Sequence, residues 1–295
     1  MHCTDRPLLA QRTTLRLGGP AQAEIGIVGD ADWDAASRFL ERTGGIPFAL
    51  GRGSNVLAAA GPLPHVLVRD CRPLTPVVEG ETDAGTVGLR VGAGMPLPRL
   101  LGWLHAKGLS GLEGVVGIPG TLGGAVAMNA GSYATEMAHV VRGVEIWTPQ
   151  GGRRWLDSHM YQWDYRRLRI LQCEASFYLI TGVRLEVTPD VAVAIRRRMA
   201  AHYRRKRSTQ PVLAWTCGCV FCNPSPQQPA GKLLDACGLR GARQGQMAFS
   251  AQHANFLVNL GKGTSAEAGE LLALARQRVA EQYGEKLRLE VCCLQ

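Results

Sequence analysis

Between Gly111 and Gly131 the chain reads G-L-E-G-V-V-G-I-P-G-T-L-G-G-A-V-A-M-N-A-G, and no other stretch restricts its folding as much. Seven glycines, one proline and a single charged residue work against a long regular helix or strand. Glycine loses the most conformational freedom on ordering, and proline removes a backbone donor. The charge-free part, Gly114 to Thr135, is long enough to cross a bilayer. Its glycines and Pro119 break any continuous apolar helix, so no membrane insertion is expected. Backbone without Cβ exposes bare N–H groups and accepts positive φ, which suits close approach to a phosphate or pyrophosphate. Tight turns packed beneath a sheet, holding no ligand, read the same way. A second loop, L-G-R-G-S-N-V-L from Leu50 to Leu57, follows the apolar Ile46 to Leu50. Two backbone-rich loops, each behind a short strand, suit a ligand with two phosphates.

A chain of 295 residues can build two compact domains with their own cores, and 46% hydrophobic with 19% charged residues is ordinary for a globular protein. The opening M-H-C-T-D-R-P-L has neither a basic n-region nor an apolar h-region, so a cytoplasmic location is expected. Nine scattered cysteines, an odd number, argue for reduced thiols rather than a disulfide framework. Cys217, Cys219 and Cys222 form C-G-C-V-F-C and invite a metal or iron–sulfur reading. A closed site needs about four ligands, and the only neighbour, Cys237, falls on an expected helix, so no metal is expected. Cys292 and Cys293 are expected to pack into the core from a terminal strand. The net charge of +9 favours anionic partners. The basic stretch from Arg196 to Arg207 is expected to be helical and reads either as a nucleic-acid surface or as a solvated face steering a small polyanion. Sparse aromatics and the lack of a nucleic-acid motif favour the second, so nucleic acid is not an expected partner.

Strands and helices alternate from the start, which indicates mixed layers. Asp30 to Arg42 predicts a first helix with Trp33, Ala36 and Leu40 on one face. Strands are expected at His65–Arg69, Val87–Val91, Val140–Trp147 and Phe177–Val187, with Leu97, Leu100, Leu101 and Leu104 as a helical core stripe. Pro211 should end the basic helix, and a domain boundary is placed near Lys206. Beyond it come a helix at Ala230–Cys237 stopped by Gly238, a strand at Asn255–Asn259, and a last helix opened by a Thr264/Glu267 capping box. That last helix is expected to bury Ala268, Leu271, Leu272, Ala275, Val279 and Tyr283.

Several motifs, in order, carry a resemblance. They are T-L-R-L-G-G-P-A at Thr14–Ala21, G-R-G-S-N at Gly51–Asn55, G-I-P-G-T-L-G-G-A-V-A-M-N-A-G at Gly117–Gly131 and W-D-Y-R at Trp163–Arg166. C-G-C-V-F-C-N-P at Cys217–Pro224, A-G-K-L-L-D-A-C-G-L-R-G at Ala230–Gly241 and S-A-Q-H-A-N-F-L-V-N at Ser250–Asn259 follow. Together they resemble the UDP-N-acetylenolpyruvoylglucosamine reductase family over nearly the whole chain. The resemblance implies an α+β fold. A two-subdomain FAD-binding domain of the p-cresol methylhydroxylase/vanillyl-alcohol oxidase type would span residues 1–205, split near residue 70. A smaller α+β domain for a UDP-sugar, ending in a catalytic strand, would span 206–295. It further implies noncovalent FAD, NADPH as reductant, and reduction of an enolpyruvyl ether to UDP-N-acetylmuramate, a peptidoglycan precursor, with no obligate protein partner. The short interval from Tyr165 to Gln210 is similar to the compact type II form. A flavin oxidoreductase of another sugar or alcohol, and an inactive homologue, are the alternatives.

Carried over residue by residue, the resemblance places the cofactor on Gly51, Arg52, Gly53, Ser54 and Asn55, and on Gly117, Ile118, Pro119, Gly120, Thr121, Gly123, Gly124, Asn129 and Gly131. It places the substrate on Tyr165, Asn223, His253 and Asn255. Hydride addition to an enol ether develops negative charge on the carboxylate-bearing carbon, so a cation and then an acid are needed. Arg166 matches the family's carboxylate-binding arginine, although as a residue it also reads as one of the Arg166, Arg167, Arg169 surface cluster. Glu290 in L-R-L-E-V is similar to the family's C-terminal catalytic glutamate. Cys219 stands where the family usually has the serine acid, and a thiol, with a reference pKa of about 8.5, gives up its proton more readily than a hydroxyl. Thr209 stands where some members carry a diphosphate-binding lysine, a charge that Lys206 or Arg207 would have to supply. His253, beside Ala254, reads equally as a hydrogen-bonded structural residue.

Overall fold

The computed structural model describes residues 1–72, 75–171 and 175–295. Seven helices occur among them: α1 Asp32–Thr43, α2 Leu97–Ala106, α3 Leu122–Ala127, α4 Met137–Val140, α5 Ala192–Thr209, α6 Ala230–Ala236 and α7 Ser265–Tyr283. Strands Leu63–Asp70, Val87–Gly92, Val141–Thr148 and Leu179–Pro189 realise the expected ones, the last beginning two residues after Phe177. The chain divides into two compact units.

The first unit comprises Met1–Asp5, Ala23–Gly51 and His65–Arg204. One of its sheets orders His2–Asp5, Ala21–Ile27, Leu63–Asp70 and Ile46–Ala49, the last two parallel. α1 covers it with Trp33, Ala36 and Leu40, all buried with Ile25, Val66 and Val68, and Asp32 and Asp34 favour its positive N-terminal end. The other sheet is antiparallel along Gly152–Leu156, Val141–Thr148, Leu179–Pro189, Val87–Gly92 and Val77–Glu81. The α2 stripe of Leu97, Leu100, Leu101 and Leu104 packs in the core with Leu89, Val91, Val183 and Leu185 of this sheet.

The second unit comprises Arg6–Gln22, Arg52–Pro64 and Arg205–Gln295, so the division falls within α5. Its four-stranded antiparallel sheet orders Trp215–Cys219, Phe256–Asn259, Met247–Phe249 and Arg243–Gln244. α6 and α7 pack on one core with Phe221, Phe249 and Leu257. The sequence places residues 1–205 in one domain, whereas by contacts Arg6–Gln22 and Arg52–Pro64 join this unit. The reason is apolar: Leu15, Leu17 and Leu57 are buried in its core. Asn259 Nδ2 also donates to the Leu15 carbonyl at 3.0 Å. The capping box forms as expected, Thr264 Oγ1 accepting from Glu267 N at 3.2 Å and a Glu267 carboxylate oxygen from Thr264 N at 2.9 Å.

Two expectations are corrected. Tyr283 is 40% exposed, because the final turn of α7 runs past the core to the left-handed Gly284. Cys292 is exposed, while Cys293 is half-buried and packs against the core of the second unit, in the terminal strand Cys292–Leu294 that pairs in parallel with Val56–Ala58. The eight described cysteines are thiols rather than disulfides. The ninth, Cys173, lies outside the described residues. No helix among the described residues is long and apolar enough to cross a membrane.

Candidate active site

In the first unit the glycine run folds into two tight turns and a short helix. Glu113–Val115 is a 3-10 turn, and Thr121 caps α3 by accepting from Gly124 N at 3.4 Å. The next two N–H groups are used inside the protein, Leu122 N donating to Met95 O at 2.8 Å and Gly123 N to Ala93 O at 2.7 Å. Gly123 is glycine because a Cβ there would lie 2.8 Å from that of Ala93. Gly117 and Gly120 hold φ of +76° and +149°, which L side chains avoid. Gly51, within the same unit, is glycine because a Cβ there would lie 2.6 Å from Thr121 Oγ1. Gly124 is exposed, and no carboxylate stands between Gly114 and Thr135. Bare, uncharged backbone of this kind fits the diphosphate of a dinucleotide cofactor.

Glu113, just before the charge-free stretch, anchors it. Its carboxylate accepts from Gly111 N at 2.8 Å and from Arg198 of α5 at 2.6 and 3.0 Å. Burial alone would raise its pKa, but the Gly111 N–H and the Arg198 guanidinium outweigh that and hold it below the ordinary value.

Arg166 sits in the turn of a hairpin formed by Tyr161–Asp164 and Arg167–Ile170. It is half-buried with φ +57°, and its Nη1 donates to Gly131 O at 3.3 Å. Its guanidinium carbon lies 5.4 Å from the ring centre of the exposed Tyr165. Asn129 is 4% exposed. Its Nδ2 donates to Glu136 at 3.1 Å and to Asp164 O at 3.5 Å, while its Oδ1 accepts from Ala138 N at 3.1 Å.

In the second unit a β-bulge prepares Cys219. Trp215 and Thr216 pair with Asn259 and Val258, but Cys219 pairs with Phe256, so Cys217 and Gly218 together face Leu257. Gly218 adopts φ +81°, and Thr216 Oγ1 bridges the irregularity by donating to Leu257 O at 2.7 Å and accepting from Gly218 N at 3.1 Å. The bulge shifts the side-chain alternation, leaving Cys217 buried and Cys219 half-buried. Complete burial pushes the Cys217 thiol up to about 12, so it stays protonated.

Glu290 is fastened to the residue following Cys219, its N–H donating to Val220 O at 2.9 Å. Its own carbonyl accepts from Asn55 Nδ2 at 3.1 Å, and Cys292 N donates to Asn55 O at 3.1 Å. Asn55, Cys219 and Glu290 are thereby brought together, with Phe221 bridged to Leu289 beside them. Asn255, 2% exposed, gives both ends of its amide to Phe221, accepting from N at 3.0 Å and donating to O at 2.8 Å. His253 Nδ1 accepts from Asn255 N at 3.2 Å and its ring meets Phe256 edge-on at 4.9 Å. Burial first, and Arg240 second, lower the pKa of His253, which favours the neutral ring. Asn223 is exposed, and its Oδ1 accepts from the first N–H of α6, that of Ala230, at 3.0 Å. Thr209 turns back to donate to Arg205 O at 3.0 Å, Lys206 is buried and Arg207 exposed. Cys217, Cys219 and Cys222 build no metal cluster among the described residues.

Sequence reasoning missed the bulge, the Asn55 link to Glu290 and the use of Asn129. Only the first left a trace, a glycine inside a strand pattern.

Residues 31–157 match a model described as an FAD binding domain. Residues 210–294 match one described as the C-terminal domain of UDP-N-acetylenolpyruvoylglucosamine reductase. A reductase of that name from Nitratidesulfovibrio vulgaris is 49% identical, the match covering 97% of this chain and 96% of the relative. One from Oleidesulfovibrio alaskensis is 45% identical, covering 97% and 95%. A crystal structure of UDP-N-acetylenolpyruvylglucosamine reductase from Thermus caldophilus superposes with a TM-score of 0.81 at 33% identity, covering all of both chains. Ordered motifs, both domain models and full-length similarity in sequence and fold agree: the chain belongs to the UDP-N-acetylenolpyruvoylglucosamine reductase family of flavin-dependent oxidoreductases.

Proposed function

We propose that this chain reduces UDP-N-acetylenolpyruvoylglucosamine to UDP-N-acetylmuramate, with FAD bound and NADPH as the source of electrons. The observation that carries the reading is the bulged strand end at Cys219, latched through Val220 to Glu290. It gives a half-exposed thiol and a carboxylate a common backbone frame, on a chain that is similar to the named reductases along its whole length.

FAD, when bound, supplies the hydride taken over from NADPH. The loops containing Gly51–Asn55 and Gly117–Gly131 would hold its diphosphate with backbone donors. Arg166, a permanent planar cation, would grip the substrate carboxylate and stabilise the charge that develops beside it. Glu290 would assist at the enolic stage. Cys219 Sγ–H would give its proton to the carbon that becomes the lactyl methine. Asn223, its Oδ1 held by α6, keeps its amide nitrogen for an acceptor such as the UDP diphosphate. The buried Lys206 is placed by helix α5 and the exposed Arg207 beside it adds steering charge for a polyanion.

The test is anaerobic stopped flow with the FAD-loaded protein. Reduction by NADPH, followed by mixing with UDP-N-acetylenolpyruvoylglucosamine, should restore the oxidised flavin band rapidly with UDP-N-acetylmuramate as product. Reduced flavin that persists in the presence of this substrate would overturn the proposal.

A further inference from the structure

The residues around Arg166 are tied in a way that its proposed role alone does not require. An arginine at φ +57° occupies a left-handed region that L-residues rarely adopt. Its turn is only two residues long, Asp164 pairing directly with Arg167. One three-residue segment, Asn129–Ala130–Gly131, touches both sides of that turn. Asn129 Nδ2 reaches Asp164 O at 3.5 Å, and Gly131 O receives the Arg166 guanidinium at 3.3 Å.

Asn129 is itself held from two other directions. Its Nδ2 meets the Glu136 carboxylate at 3.1 Å and its Oδ1 takes the Ala138 N–H at 3.1 Å, both at the start of α4. It is buried and has φ +38°, a conformation asparagine adopts more easily than most residues. Gly131 has no freedom either, since a Cβ would lie 2.2 Å from Thr135 O. The strand pair beyond it turns through Tyr133 and Ala134, at φ +53° and +61°, and Tyr133 stacks on His202 of α5 at 4.8 Å. The segment is therefore pinned at Asn129, at Gly131 and through the Tyr133 stack.

We infer that Asn129 is a positioning residue for Arg166: its amide fixes the hairpin turn from which the guanidinium reaches the substrate carboxylate, and it does not serve as a ligand of the flavin. The inference rests on the carboxylate-binding role proposed above for Arg166. It reassigns a residue that the sequence motif places among the cofactor contacts. Chemically the reassignment is supported by the amide, whose two Nδ2 hydrogens both go to protein acceptors and whose oxygen takes the Ala138 N–H.

Asn129→Gly removes the amide while keeping the positive φ accessible, and Asn129→Asp keeps the shape but replaces the donor with an acceptor facing Glu136. Both variants should keep their FAD affinity and their rate of reduction by NADPH. Flavin reoxidation by UDP-N-acetylenolpyruvoylglucosamine should slow about tenfold, the upper end of what one neutral hydrogen bond contributes. In an Arg166→Lys background the same change should add little, because both substitutions remove one positioned guanidinium. Amide hydrogen exchange in residues 161–170 should also accelerate, a readout independent of flavin and substrate. Weakened FAD binding with exchange in 161–170 unchanged would make Asn129 a cofactor residue and overturn the inference. So would unaltered reoxidation by Asn129→Gly beside a strongly impaired Arg166→Ala. If Arg166→Ala itself reoxidises normally, the functional reading fails instead. If either Asn129 variant does not fold, the other carries the comparison.

Discussion

Cys219 is the proposed proton donor, and that role can be separated from its packing. It is half-buried at a strand end, whereas Cys217, two residues before, is buried and inert. Cys219→Ala should leave flavin reduction by NADPH intact and slow product formation by about 10²–10⁴-fold, the range of a lost general acid. Cys219→Ser should stay within about tenfold of the wild type, because the hydroxyl can occupy the same place as a donor. Rapid-quench product analysis checks both, and an undiminished alanine variant would remove the role. Asn255 shows the opposite case, a polar residue read as possible substrate lining whose amide substitutes for a missing strand partner along Phe221. Asn255→Ala leaves two buried backbone groups without partners and should cost about 2–4 kcal/mol, measurable as a lowered urea midpoint. The type of residue was readable in both cases. Which polar group bonds to protein was not, because that depends on neighbours more than thirty positions away.

At the level of elements, periodicity and capping were legible because both are local. Trp33, Ala36 and Leu40 recur at helical spacing, and T-S-A-E carries its own hydrogen bonds within four residues. Thr264→Ala should accordingly destabilise the protein by about 1 kcal/mol in thermal or chemical unfolding, while leaving the substrate reaction unchanged. The glycine run was legible as a place of close approach, but not what approaches. Gly123 packs closely on Ala93, so Gly123→Ala should cost about 1–3 kcal/mol through overpacking. A Gly123→Ala protein as stable as wild type in urea would show that this contact relaxes freely. The bulge at Cys217–Gly218 and the Tyr165–Arg166 turn were hidden for another reason. Their unusual backbone is imposed by partners, Thr216 Oγ1 with Leu257 in one and Gly131 in the other, and arginine gives no hint of positive φ.

For the molecule as a whole, electrostatics sets how stability responds to acid. Glu113 titrates below its ordinary value of 4.5 in the folded state, since burial is outweighed by Gly111 N–H and Arg198. Its contribution is therefore present above about pH 4.5 and is lost as pH falls through the folded value. Glu113→Gln should remove that part of the acid dependence and cost about 1 kcal/mol near neutrality, a modest figure because Arg198 is partly solvated. Unfolding curves collected from pH 3 to 7 would test this, and parallel profiles for the two proteins would contradict it. The chain splits into two compact units whose segments alternate along it, and that alternation was not legible in the sequence. Leu15, Leu17 and Leu57 look like any apolar residues until Arg205–Gln295 closes around them. That interleaving bears on how the protein is made. Val56–Ala58 pairs with Cys292–Leu294, so the earlier segment waits for one that follows it by more than 230 positions. At about 5–20 residues per second the delay is on the order of ten seconds or more, during which Leu15, Leu17 and Leu57 stay without their core. A nascent chain halted before residue 292 should expose this apolar surface to chaperones, and the second unit should acquire protease resistance only once Cys292–Leu294 has emerged.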